Sequence, residues 1–119
     1  MSGYRELRVW QEGKSLAVSV YEMTDDGFWK SDWGLRDQIR RAAVSVPSNI
    51  AEGEARNSQR DSVRFFQIAL GSLAELSTQL EIAFEIKYID ESLHTLVQQR
   101  IENLQKSLGA LVKCRSKQF

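Results

Sequence analysis

The sequence is poor in residues that staple or punctuate a chain: its 119 residues hold one cysteine, one proline and one histidine. A lone thiol, Cys114, has no partner for an intrachain disulfide, which excludes a stapled scaffold and makes the reducing cytosol the expected compartment. The single proline, Pro47, leaves long stretches free of helix breakers. No run of about 18 apolar residues occurs, so no membrane span is expected. Met1-Ser2-Gly3-Tyr4-Arg5-Glu6 has no basic region leading into an apolar one, so no targeting segment is expected either. An excess of one charge is also missing. Sixteen basic and 16 acidic side chains give a formal net charge of zero, which excludes the global field of a dedicated nucleic-acid binder. Any charge-driven function must be local.

What the sequence does have is helical period. Its 42% hydrophobic and 27% charged residues suit one water-soluble domain over 1–119. In the first stretch, Leu7, Trp10, Lys14, Ala17, Tyr21 and Thr24 recur at spacings of three and four, and a second stripe is formed by Val9, Leu16, Val20 and Met23. A turn follows at Asp25-Asp26-Gly27. The second helix is expected from Ser31 or Asp32 to about Gly53, with Leu35, Ile39, Ala42, Val46 and Ile50 inward; Pro47 lies inside it and predicts a kink or a break. Ser58-Gln59-Arg60-Asp61 resembles a capping box and opens a third helix to about Lys87. Its stripe of Phe66, Ala69, Leu70, Leu73, Leu76, Leu80 and Ala83 is widened by Phe65, Ile68, Ile82 and Ile86. Asp90 caps a fourth helix, whose Val97, Ile101, Leu104, Leu108 and Leu111 keep four-three spacing. Short connections make sequential helices antiparallel neighbours, so the expected fold is all-α, an up-down-up-down four-helix bundle. The surplus apolar stripes on the first and third helices predict a homo-oligomer.

Chemistry-bearing patterns are few. Glu91-Ser92-Leu93-His94 has the Glu-x-x-His spacing of bundle di-iron sites, but such sites need two copies and two further carboxylates, and no second histidine exists. No metal or cofactor is therefore expected. Cys114 has no neighbouring histidine, no nucleophile elbow occurs, and no Gly-x-x-x-x-Gly-Lys loop follows a strand, so the chain reads as a non-enzyme. Charge is more informative. Arg36, Arg40, Arg41, Arg56, Arg60 and Arg64 bracket the end of the second helix and the start of the third. Arg36 and Arg40, like Arg60 and Arg64, are one turn apart, a spacing suited to paired phosphate contacts. The same arginines are equally placed to pair with Asp37, Glu52, Glu54 and Asp61 in an exposed salt-bridge network. Lys106, Lys113, Arg115 and Lys117 form a second basic patch near the C-terminus, where cations also complement a helix dipole.

The segment Arg40-Arg41-Ala42-Ala43-Val44-Ser45-Val46-Pro47-Ser48-Asn49-Ile50-Ala51-Glu52-Gly53, with Ala55-Arg56-Asn57-Ser58, resembles the signature of the 23S ribosomal RNA intervening sequence protein family, also called the four helix bundle protein family. The similarity extends through Leu7-Arg8-Val9-Trp10-Gln11, Trp33-Gly34-Leu35 and the stretch from Phe66 to Ala83. Gly13, Trp29 and Lys87 depart from it, the last standing where glycine commonly precedes the tyrosine here numbered Tyr88. The resemblance implies a bacterial four-helix bundle assembling as a ring-like homopentamer. It further implies kinship with the accessory variability protein of diversity-generating retroelements, hence RNA and a reverse transcriptase or another protein as partners. Two functions follow from residues and resemblance together. One is a non-catalytic oligomeric adaptor that contacts structured RNA through the six arginines; the other is a protein-interaction scaffold with no nucleic-acid role.

Overall fold

The computed structural model describes residues 3–119, and its four α-helices are α1 Arg8–Met23, α2 Trp33–Glu54, α3 Gln59–Glu85 and α4 Glu91–Ser116. Single 3-10 turns at Gly3–Glu6 and Gly27–Lys30 precede α1 and α2. Three helix starts are set by carboxylate or hydroxyl caps that satisfy an otherwise orphaned backbone donor: Asp32 accepts from the Leu35 N–H, Ser58 from Asp61 and Asp90 from Leu93. α3 stops at a Schellman motif in which the Tyr88 N–H donates to the Ala83 carbonyl at 2.8 Å and the Lys87 N–H to that of Phe84 at 3.0 Å. The motif requires a left-handed residue, and Lys87 supplies it at φ 68°.

Sequential helices run antiparallel in a bundle 46 × 21 × 21 Å. Cross-helix contacts fix the register: Ser45 and Ser72 share a hydrogen bond of 2.8 Å between α2 and α3, and Ser77 donates to Gln98 Oε1 at 2.9 Å between α3 and α4. One core collects side chains from all four helices, among them Leu16, Val20, Ile39, Ile50, Phe66, Leu73, Leu80, Ile101 and Leu108.

α2 is not broken at Pro47; one 22-residue helix passes through it. Pro47 is buried beside Gly13 of α1, where a methyl group would sit 3.3 Å from Val46 Cγ1. The glycine thus permits a close crossing of α1 and α2. The buried face of α1 draws on both stripes expected from the sequence. Val9, Gly13, Leu16, Ala17, Val20 and Thr24 are buried, while Lys14 and Tyr21 from the first stripe are exposed. The core takes Val9, Leu16 and Val20 from the second stripe and Ala17 and Thr24 from the first, with Gly13 between them against Val46 and Pro47 of α2. The wide apolar surface of α3 is confirmed, with Ile68, Ile82 and Ile86 each more than 40% exposed.

Candidate nucleic-acid interface

The six arginines do not form one band. Arg36, Arg40 and Arg41 lie in the first half of α2, whereas Arg56, Arg60 and Arg64 surround the α2–α3 turn. Twenty residues separate Arg36 from Arg56, about 30 Å at the helical rise of 1.5 Å per residue.

In the first group Arg40 is committed to intramolecular contacts. The Arg40 guanidinium lies over the Tyr21 ring at 4.3 Å, donates to Thr24 Oγ1 at 2.7 Å and reaches the Tyr21 carbonyl at 3.2 Å. It therefore closes the C-terminal end of α1, where unpaired carbonyls and the helix dipole favour a cation. Arg41 stands 3.8 Å from Asp37 on a solvated surface, an arrangement of little energetic weight. Half-buried Arg36 sits beside Trp33, Asp37 and Arg40.

The second group is more available. Arg56 pairs with Glu52 at 2.6 Å and also covers Phe65, its guanidinium 4.6 Å from the ring centre. Arg64 takes a second position over Phe65, at 4.9 Å, and Arg60 lies 5.5 Å from the Phe119 ring. Among the described residues neither Arg60 nor Arg64 has a carboxylate partner. The aromatic rings limit the rotamers of these cations without neutralising them.

Antiparallel packing brings further cations to the same end. The C-terminus of α4 arrives beside the α2–α3 turn: Arg115 pairs with Glu54 at 2.9 Å, and Gln59 donates to Gln118 at 2.8 Å. The arginines of the α2–α3 turn and the tail cations Arg115 and Lys117, separate in sequence, thus share one end of the bundle, and the start of α1 adds Arg5 and Arg8. Dividing the bundle at the Ser45–Ser72 hydrogen bond, the half built from 3–15, 45–72 and 103–119 carries ten Lys or Arg and five Asp or Glu. The half built from 16–44 and 73–102 carries six and eleven. A chain of zero net charge is therefore polarised along its long axis, from about +5 to about −5.

The acidic end holds the groups with displaced titration. The Asp32 carboxylate, accepting from the Leu35 N–H and from the Tyr88 hydroxyl at 2.8 Å, is held below its usual range, while Tyr88 is pushed above its own by that hydrogen bond. His94 is stacked on Phe84, centroids 4.2 Å apart, with Nε2 3.0 Å from Glu81 Oε1. No group of three or more His, Cys, Asp or Glu side chains arranged for a metal occurs among the described residues, and none of their helices is long and apolar enough to cross a membrane.

Residues 5–110 match the family model described as 23S rRNA-intervening sequence protein. Among solved structures, the chain is similar to a crystal structure of a protein of unknown function from the S23 ribosomal protein family of Bacteroides thetaiotaomicron VPI-5482. The TM-score is 0.81 at 23% identity, covering 88% of this chain and 98% of the other. That likeness establishes the shared fold. No curated protein matches the chain.

Proposed function

Given that the chain belongs to the 23S rRNA-intervening sequence protein family, we propose that it is a cytosolic, non-catalytic, oligomeric adaptor whose basic end contacts the phosphates of structured RNA. The observation that carries this reading is the segregation of charge along the bundle. Phosphate contacts position a protein on nucleic acid without reading sequence, and guanidinium forks suit phosphate geometry. Arg60 and Arg64, with no carboxylate partner among the described residues, are the leading contacts. Arg56 follows, because its bond to Glu52 is exposed and exchangeable. Arg36 and Arg41 are secondary, and Arg40 belongs to the fold.

Assembly supports the same reading. Val18 and Tyr21 on α1, Val44 on α2 and Ile68, Ile82 and Ile86 on α3 are exposed apolar side chains suited to neighbouring copies. Copies aligned side by side would place their basic ends on one face, where individually weak contacts gain by multivalency. Five copies, and a reverse transcriptase or other protein partner, are what the resemblance of the signature segment implies. A pure interaction scaffold is the second reading. It draws on the arginines already engaged within the subunit, Arg40, Arg56 and Arg115.

Mobility-shift titration of structured RNA separates the two. The adaptor reading expects retention by the wild type, loss in Arg60→Glu/Arg64→Glu and little change in Arg41→Glu, in the acidic half. Absence of retention at low salt, or equal binding by the double variant, would favour the scaffold.

A further inference from the structure

The four seams of the bundle are not filled alike. α1 and α4 make the sparsest contacts of the adjacent pairs. Their seam is faced by Gln11, Ser15 and Ser19 from one side and Arg100, Asn103 and Ser107 from the other, leaving a groove of about 670 Å³ floored by Leu16 and Leu104. Arg100 bridges it: Nη1 donates to Ser19 Oγ at 2.7 Å and Nη2 to Ser15 Oγ at 3.0 Å. Among the described residues no carboxylate pairs with Arg100. A half-buried guanidinium is thus fixed in place by neutral acceptors that do not balance its charge.

The rest of the lining has the same bias. Arg8 and Lys106 add two cations, and Glu12, the one acidic member, is spent on Arg8 at 3.1 Å. The net charge of the lining is +2. Ser15 and Ser19 use oxygen lone pairs to hold Arg100, so each keeps a hydroxyl hydrogen to donate, and three of the five guanidinium N–H groups are uncommitted. Donors from hydroxyls and a positioned guanidinium, beside a mobile ammonium, form a receptor for a tetrahedral oxyanion. A phosphomonoester, with a charge of about −1.5 to −2 at neutral pH, matches the lining. The volume falls within the range of about 300–1,000 Å³ that takes a nucleotide-sized ligand.

We propose that the α1–α4 groove is a phosphate-binding site for a nucleotide unit, anchored by Arg100 with Lys106 as the second cation. The phosphate belongs either to a free nucleotide or to a nucleic-acid strand. The site is distinct from the Arg60/Arg64 end and does not depend on it.

Calorimetric titration of the full chain at low ionic strength, with adenosine 5′-monophosphate, adenosine and a 5′-hydroxyl RNA decamer, tests the assignment. The monophosphate or the decamer should bind and adenosine should not, the monophosphate arm identifying a free nucleotide and binding by the decamer alone identifying a strand. Arg100→Gln should weaken the binding probe about tenfold or more, as loss of a charged hydrogen-bonding partner does. Lys106→Gln, at an exposed position that leaves the fold unaffected, should weaken it by a smaller factor, and Arg60→Glu/Arg64→Glu should leave monophosphate affinity unchanged. The proposal is overturned if neither phosphorylated probe binds, if adenosine binds as well as its monophosphate, or if Lys106→Gln and Arg100→Gln both bind like the wild type.

Discussion

Gly53 of α2 lies so close to Phe66 of α3 that a methyl group placed on it would come within 2.6 Å of the ring and 3.0 Å of the Ser62 carbonyl. The Ser62 hydroxyl donates to the Gly53 carbonyl at 2.6 Å, closing the same contact from the other side. Phe66 is fully buried, so its ring cannot swing away cheaply. This explains a glycine at the end of the signature segment, inside a helix that would otherwise prefer alanine.

Gly53→Ala should accordingly destabilise the protein. Overpacking a filled core costs about 1–3 kcal/mol, against a gain of about 1 kcal/mol from replacing a helical glycine, so the expected net loss is up to about 2 kcal/mol in denaturant titration. Gly109→Ala is the internal contrast. Nothing lies within 4 Å of its added methyl, and it should gain up to about 1 kcal/mol. Equal effects at both positions would contradict the close approach.

Lys87 is the one non-glycine residue at positive φ among the described residues. A left-handed L-residue costs roughly 1–2 kcal/mol, and the side chain is exposed. After the extra backbone entropy of glycine, roughly 0.5–1 kcal/mol, Lys87→Gly should stabilise the fold by about 0.5–1 kcal/mol. Lys87→Ala, which keeps the strain, should not.

The Tyr88–Asp32 hydrogen bond predicts a pH window. Asp32 has a folded pKa below its ordinary value of 3.8, mainly from the Leu35 N–H and then from Tyr88, so its contribution is complete above that value and is lost as pH falls through the folded pKa. Tyr88 has a folded pKa above its ordinary 10.0, chiefly because its hydroxyl donates to Asp32, so its contribution is complete below that value and is lost as pH rises through the folded pKa. Thermal melts of wild type and Tyr88→Phe should differ most between about pH 5 and 9 and converge at both extremes. A difference independent of pH would mean that the hydroxyl is not bonded to the carboxylate.

Local features of this fold were legible in the sequence, and those that depend on distant segments were not. Asp32, Ser58 and Asp90 cap the helices expected of them because capping reaches only three residues ahead. The buried face of α1 lies between its two stripes, because both carry apolar residues and the seating of Gly13 against Val46 and Pro47 is a contact that helical period does not contain. The left-handed turn at Lys87 could have been found, since a residue standing where glycine is common marks such a conformation. The arginines are neighbours in the written chain, yet α2 carries Arg36 and Arg56 to opposite ends. The tail cations Arg115 and Lys117 join Arg60 only because α4 runs antiparallel to α3. The Arg100 groove needs side chains 81 and 85 residues apart, a pairing that no helical period contains.

The salt dependence of RNA affinity is the decisive measurement for a phosphate-binding basic end. Each phosphate neutralised by a cation releases counterions, so log affinity should fall linearly with log salt at a slope of roughly 0.7 per contact on single strands. The wild-type protein should show a slope equivalent to several phosphates, flattened in Arg60→Glu/Arg64→Glu while helicity and light-scattering mass stay unchanged. A wild-type affinity indifferent to salt, or a double variant with the same slope, would contradict phosphate binding at that end.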